Sequence, residues 1–116
     1  MIQWNAKGPD LFIAASGEFD LATAQDLRAR LDDVIDSNRS ARRVFLDLAA
    51  VTFIDSSGLG VLFGRYKRLA ARGGSLIITA PRPGVRRAMD LVGLPGLIPV
   101  YESKEEALRA QTGGPE

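Results

Sequence analysis

Short apolar runs alternate along this chain with stripes of apolar residues at helical spacing, and that alternation confines the fold more tightly than any single motif. Leu11 to Ala15, Arg43 to Leu48 and Leu76 to Ala80 are too short for buried helices and read as buried strands. Between and after them, apolar residues recur at intervals of three and four, the mark of helices with one buried face. The order reads β-β-α-β-α-β-α-β-α, an α/β chain. After an opening hairpin, strict alternation favours a mixed, mostly parallel sheet with crossover helices. Right-handed crossovers place successive helices on one face unless the strand order reverses.

The turns sharpen these elements. Ile2 to Asn5 is the hairpin partner of Leu11–Ala15 across Gly8-Pro9-Asp10. Asp20 is the expected N-cap of the first helix, whose stripe is Ala24, Leu27, Leu31, Val34 and Ile35. Its outer face pairs Asp26 with Arg30 and Arg28 with Asp32, each at i,i+4. A separate apolar patch, Val51 to Ile54, leads into a second helix with the stripe Leu59, Leu62, Phe63, Tyr66, Leu69 and Ala70. Gly73-Gly74 supplies a left-handed stop. A short helix through Val85, Ala88, Met89 and Val92 ends at Gly93, and Ile98 to Tyr101 is the last strand. Ser103 and Glu106 form a capping box for a C-terminal helix. A single domain is expected over residues 1–110, with a flexible tail at 111–116 that is too polar and too rich in Gly and Pro to pack.

Composition removes whole classes of chemistry. The 116 residues include no Cys and no His, so thiolate nucleophiles, zinc knuckles, imidazole bases and Ser-His-Asp triads are excluded. A net charge of +1 lacks the positive excess of a nucleic-acid binder. No apolar stretch is long enough to span a bilayer. The first residues lack the layout of a signal peptide, so a cytoplasmic location is expected.

Function is expected at the carboxyl ends of the strands. The most distinctive strand-to-helix passage is Phe53-Ile54-Asp55-Ser56-Ser57-Gly58-Leu59-Gly60, with Gly64 one turn on. Glycine inside a helix costs about 1 kcal/mol against alanine, so three of them need a reason. Close approach of the helix to the sheet, or of a partner to the loop, would supply one. Catalytic templates fail here. The dinucleotide fingerprint is missed by one residue, and neither a phosphate-binding loop nor a nucleophile elbow is present. A serine at a helix N-terminus does suit phosphorylation, because free backbone N–H groups and the helix dipole stabilise added negative charge. By composition and spacing alone, Ser56 or Ser57 reads first as a simple N-cap. Arg82, Arg86 and Arg87 read as a solvated helix face, Arg65, Lys67 and Arg68 as the exposed side of the second helix, and Trp4 as packing on the hairpin.

Asp55-Ser56-Ser57-Gly58-Leu59-Gly60, followed by Gly64-Arg65-Tyr66-Lys67, resembles the STAS domain of bacterial anti-sigma factor antagonists. Gly17-Glu18-Phe19-Asp20, the strand from Arg43 and the segment Arg86 to Leu94 extend the resemblance over residues 1–110. The Ser56-Ser57 pair and Gly-Arg-Tyr-Lys lean toward the sporulation branch. The resemblance implies about five strands with four helices mainly on one face. It implies a non-enzymatic regulator with no cofactor and no metal site. The unphosphorylated form would bind an anti-sigma factor that is also a serine kinase, releasing the sigma factor. Phosphorylation of Ser56 would end that binding, and a metal-dependent serine phosphatase would restore it. Asp20, Asp55, Ser57, Gly58, Leu59 and Gly60 are carried over as the partner-binding set. Neither nucleic acid nor membrane is an expected partner, and the free chain is expected to be a monomer. Two alternatives remain: a STAS-type binding module for a small ligand, a nucleotide or a signalling complex, and a small hydrolase using Ser56.

Overall fold

The protein is described here by a computed structural model covering residues 2–112. These residues form β1 (Ile2–Lys7), β2 (Asp10–Phe19), α1 (Ala24–Asp36), β3 (Arg43–Ile54), α2 (Ser56–Ala71), β4 (Ser75–Thr79), α3 (Pro83–Leu91), a 3-10 turn (Leu94–Gly96), β5 (Val100–Tyr101) and α4 (Lys104–Thr112). The sheet order is β1-β2-β3-β4-β5, without reversal. β1 is antiparallel to β2, and all later neighbours are parallel. Unreversed order with right-handed crossovers stacks α1, α2 and α3 on one face, as the alternation requires.

Strand alternation sorts the core into two layers. Leu11 and Ile13 of β2, Val44, Leu46 and Leu48 of β3, and Leu76 and Ile78 of β4 pack with Leu27, Leu31 and Ile35 of α1, Leu62 and Leu69 of α2, and Met89 of α3. Phe45 and Ile77 point the other way and meet Ala107 of α4, with Phe12, Tyr101 and Leu108 around them. Each fully buried Leu or Ile contributes roughly 1.5–3 kcal/mol relative to exposure, so the larger layer carries most of the stability.

β2 and β3 run further than expected. The patch Val51–Ile54 is the continuation of β3, not a separate piece. The two strands pair as far as Phe19↔Ile54, through register shifts at Ala14/Ser16 and Gly17/Glu18. Gly17 adopts φ +99 there, a conformation that favours glycine. β1 reaches only Ala15, and β4 reaches only Asp47. Beyond those points β2 and β3 continue together as a two-stranded ribbon.

Several local expectations give way to tertiary contacts. α1 begins at Ala24 with Thr23 at the N-cap position, and Asp20 caps the turn that leads into it, its Oδ1 accepting the Thr23 N–H and its carbonyl the Ala24 N–H. Asp26 pairs with Arg30 at 2.8 Å, but Asp32 pairs with Arg65 instead of Arg28. Ala70 is exposed and Arg65 is buried. α3 stops at Leu91, leaving Val92 half exposed. β5 is only Val100–Tyr101, while Ile98 is buried just ahead of it. Trp4 remains 48% exposed. Ser103 Oγ accepts the Glu106 N–H as a capping box requires, but the Glu106 carboxylate reaches the Glu102 N–H. α4 includes residues 111 and 112, which were expected in the tail. Residues 113–116 of that tail lie outside the described residues.

Leu48 is fully buried at the root of the ribbon. Leu48→Ala is expected to lower unfolding stability by about 2–5 kcal/mol, read by urea denaturation as a lower midpoint with an unchanged slope.

Candidate functional site

The ribbon ends by delivering two aspartates to neighbouring positions. Phe19 and Ile54 are its last pair, so Asp20 and Asp55 follow side by side. The Asp55 N–H donates to the Phe19 carbonyl at 3.1 Å, closing the ladder. Asp55 then caps α2: its Oδ1 accepts the N–H groups of Ser57 at 2.8 Å and Gly58 at 3.1 Å. Its Oδ2 accepts the Leu21 N–H at 3.2 Å. One carboxylate thus joins the start of α2 to the loop that leaves β2. Asp20 organises that loop, with Oδ1 accepting the Thr23 N–H at 3.0 Å. The Thr23 hydroxyl accepts the Asp20 N–H at 2.9 Å and donates to the Glu18 carbonyl at 2.7 Å.

Ser56 is the first residue of α2 and is exposed. Among the described residues its hydroxyl has no hydrogen-bond partner. Ser57 is half-buried and faces a groove between α1 and α2 of about 600 Å³. Leu21, Gln25, Arg28, Gly60 and Gly64 line the same groove.

The three glycines have different reasons. A Cβ on Gly58 would overlap the Phe19 carbonyl oxygen and lie 2.7 Å from the Phe19 Cβ. Gly58 is therefore required by helix-to-strand packing inside the domain, not by a partner's approach. Gly60 and Gly64 would place a Cβ in open space, and they form the bare floor of the groove. Leu59 is 6% exposed and belongs to the core. Of the expected partner-binding set, the structure gathers Asp20, Asp55, Ser57 and Gly60 around Ser56. Gly58 and Leu59 support the site from beneath.

The expected free N–H groups are also corrected. Those of Ser57 and Gly58 are already held by Asp55, and the Leu59 N–H bonds the Asp55 carbonyl. A phosphate on Ser56 therefore has little of the helix terminus left to bind.

Two exposed apolar side chains were not anticipated. Leu21 is 78% exposed and Phe53 is 49% exposed, and both sit within two chain positions of the paired aspartates. The one signal for Leu21 is that it lies outside the stripe of α1.

Beneath the groove, Arg65 is 8% exposed and pairs through Nε with Asp32 Oδ1 at 3.0 Å. Arg68 approaches the same oxygen at 3.5 Å and Asp36 Oδ2 at 2.6 Å. Burial holds the Arg65 guanidinium below its ordinary range, against the pull of Asp32. The hydrogen bond from Arg68 holds the Asp36 carboxyl below its usual value. Elsewhere, Arg82 donates to the Ala49 carbonyl at 2.8 Å, and Arg86 pairs with Asp90 and Glu102. Two of the three arginines expected as a solvated face thus make structural contacts.

Comparison with known proteins decides the family. Residues 2–107 match the family model described as the STAS domain. The chain belongs to the STAS family. It is 37% identical over 98 residues to the anti-sigma F factor antagonist of Paenibacillus polymyxa, covering 84% of this chain and 83% of the relative. It is 30% identical over 96 residues to the anti-sigma-B factor antagonist of Bacillus subtilis, covering 83% and 85%. Among solved structures, the anti-sigma factor antagonist SpoIIAA in its unphosphorylated form superposes with TM-score 0.78 at 26% identity, over 100% of each chain. The α/β STAS fold with five strands and four helices stands on these matches and on the topology.

The glycine assignments separate in a stability assay. Gly58→Ala is expected to destabilise by roughly 1–3 kcal/mol through overpacking. Gly60→Ala is expected to raise stability slightly, by about 0.5–1 kcal/mol, as alanine is the better helix former. Asp32→Ala is expected to cost about 1–3 kcal/mol, because Arg65 loses its partner at the edge of the open groove. Adding Arg65→Met is expected to recover part of that loss, with thermal and urea unfolding as the measurement.

Proposed function

We propose that this chain is an anti-sigma factor antagonist controlled by phosphorylation at Ser56. Its unphosphorylated form binds an anti-sigma factor that also acts as a serine kinase, and the sigma factor is released. The observation that carries this reading is the state of Ser56: an exposed, unengaged hydroxyl on a helix start that its neighbours hold rigid. The names of the two sequence relatives support the partner class. Higher identity to the sigma-F antagonist favours the sporulation branch over stress response. The proposed setting is the cytoplasm. Among the described residues no helix is long and apolar enough to cross a membrane.

The chain supplies no catalysis in this scheme. The kinase transfers the γ-phosphoryl group of ATP to Ser56 Oγ. The new O–P bond forms as the bond to the β-phosphate oxygen breaks, ADP departs, and the hydroxyl proton passes to a base on the kinase. A metal-dependent phosphatase reverses the modification by hydrolysis. The added group brings about −1.5 to −2 charges. With Asp55 occupying the Ser57 and Gly58 N–H groups, that charge stays on the surface beside a second carboxylate. It then acts on the partner by desolvation and repulsion, without a change of shape in this domain. Leu21, Phe53 and the Gly60 floor are the proposed apolar contacts around it.

A second reading, a module that binds a small ligand without a phospho-switch, has one observation in its favour. A pocket of about 310 Å³ lies on the face of the sheet carrying α4, lined in part by Phe12, Asp47, Thr79 and Lys104. A ligand that raises the melting temperature with no kinase present would support this reading.

The switch is tested with the cognate kinase and ATP. Phosphate is expected on Ser56 and not on Ser57, mapped by mass spectrometry. Ser56→Ala is expected to keep wild-type affinity and stay bound in ATP, and Ser56→Asp to bind at least about tenfold more weakly. Label elsewhere, or equal affinity of the two variants, overturns the assignment.

A further inference from the structure

β1 is the outer strand of the sheet, paired on one side only. Natural edges are usually blunted by inward charges, proline or a bulge. β1, Ile-Gln-Trp-Asn-Ala-Lys, has no proline and a single charge at its last position, and it pairs with β2 without a register shift.

The hairpin turn sets which of its backbone groups are free. Lys7 and Asp10 flank a two-residue turn, Gly8-Pro9, and Gly8 has φ +60, as a type II′ turn requires at its first central position. Such a turn makes the flanking residues a hydrogen-bonded pair, and bonded and non-bonded pairs alternate along the ladder. Lys7, Asn5 and Gln3 therefore direct their N–H and C=O groups toward β2. Ile2, Trp4 and Ala6 direct theirs outward.

We propose that this edge pairs with the same edge of a second copy of the chain, antiparallel, with Trp4 opposite Trp4. Two features of that register follow together from the period of two along the strand. First, outward-pointing residues face one another, Ile2 against Ala6 and Trp4 against Trp4, giving about six N–H···O=C bonds between the chains. Second, side chains opposite one another share a face. Ile2, Trp4 and Ala6 lie on the side carrying α1, where Ile2 packs on the core, and Gln3 meets Asn5 on the other side. The pairing brings together two half-exposed indoles and matches amide with amide. It sets no cation of β1 against another. Shifting the register by two residues in either direction keeps the phase but pairs only two outward-pointing residues of each β1 instead of three. The interface departs from the expected free monomer. It is independent of the phospho-switch, since Ser56 lies beyond the end of β1.

The test uses the intact unphosphorylated chain, by sedimentation and by amide hydrogen exchange at low and high concentration. A concentration-dependent dimer is expected. The Trp4 and Ala6 amides should be protected at high concentration and lose that protection on dilution, while those of Gln3, Asn5 and Lys7 stay protected at both. Trp4→Lys is expected to weaken the dimer by at least roughly tenfold while the inward amides keep their protection. A single monomer mass up to about 1 mM, near the weak limit of specific association, overturns the proposal. So does a dimer in which the Trp4 and Ala6 amides exchange freely.

Discussion

The Asp55 carboxylate is the contact on which the geometry around Ser56 depends. One oxygen caps α2 through the Ser57 and Gly58 N–H groups, and the other holds the Leu21 N–H of a loop from a different strand. A cap of this kind contributes roughly 1 kcal/mol, modest for a whole domain. Its larger effect is positional. It sets the entry of the helix relative to the loop that Asp20 shapes, and Gly58 allows the two to touch. Ser56 is then presented on a surface whose backbone is tied down on both sides.

Below that surface the ion pairs of α1 and α2 do different work. Asp32 receives the buried Arg65, and Asp36 receives the half-exposed Arg68. A buried pair is costly to break on one side and adds little net stability over an apolar pair. Its contribution is to fix how α1 lies against α2, and with it the groove that opens beside Ser57. The bare helix face at Gly60 and Gly64 keeps that groove open.

The elements were largely legible in the sequence, because period two and period three-to-four signals follow directly from which side of a strand or helix is buried. The proposed acceptor Ser56 was read from the motif around it. What could not be read were features set by distant contacts. β3 looked broken because the ribbon above Leu48 lacks a clean alternation, with Thr52 and Phe53 both exposed. Arg65 looked like a surface residue by chemistry, although its spacing of four from both Val61 and Leu69 places it on the buried stripe. Gly58 and Gly60 look alike in sequence. Only the position of Phe19 shows that one is a packing requirement and the other an opening. Asp20 was legible as a capping residue, but the turn it caps lies just ahead of the first regular residue, Ala24.

The projection of β2 and β3 past their neighbours has a wider consequence. The main hydrophobic layer runs on beneath the tip through the buried Phe19, Val51, Ile54 and Leu59, while Leu21 and Phe53 stand outside it. The exposed side chains there can change while the buried ones beside them keep their packing requirements. A lineage could therefore duplicate the domain and re-address each copy by changing a few side chains such as Leu21 and Phe53. Under the proposed function, keeping exposed contact side chains separate from the buried packing side chains beside them suits the architecture to parallel signalling channels that share one scaffold.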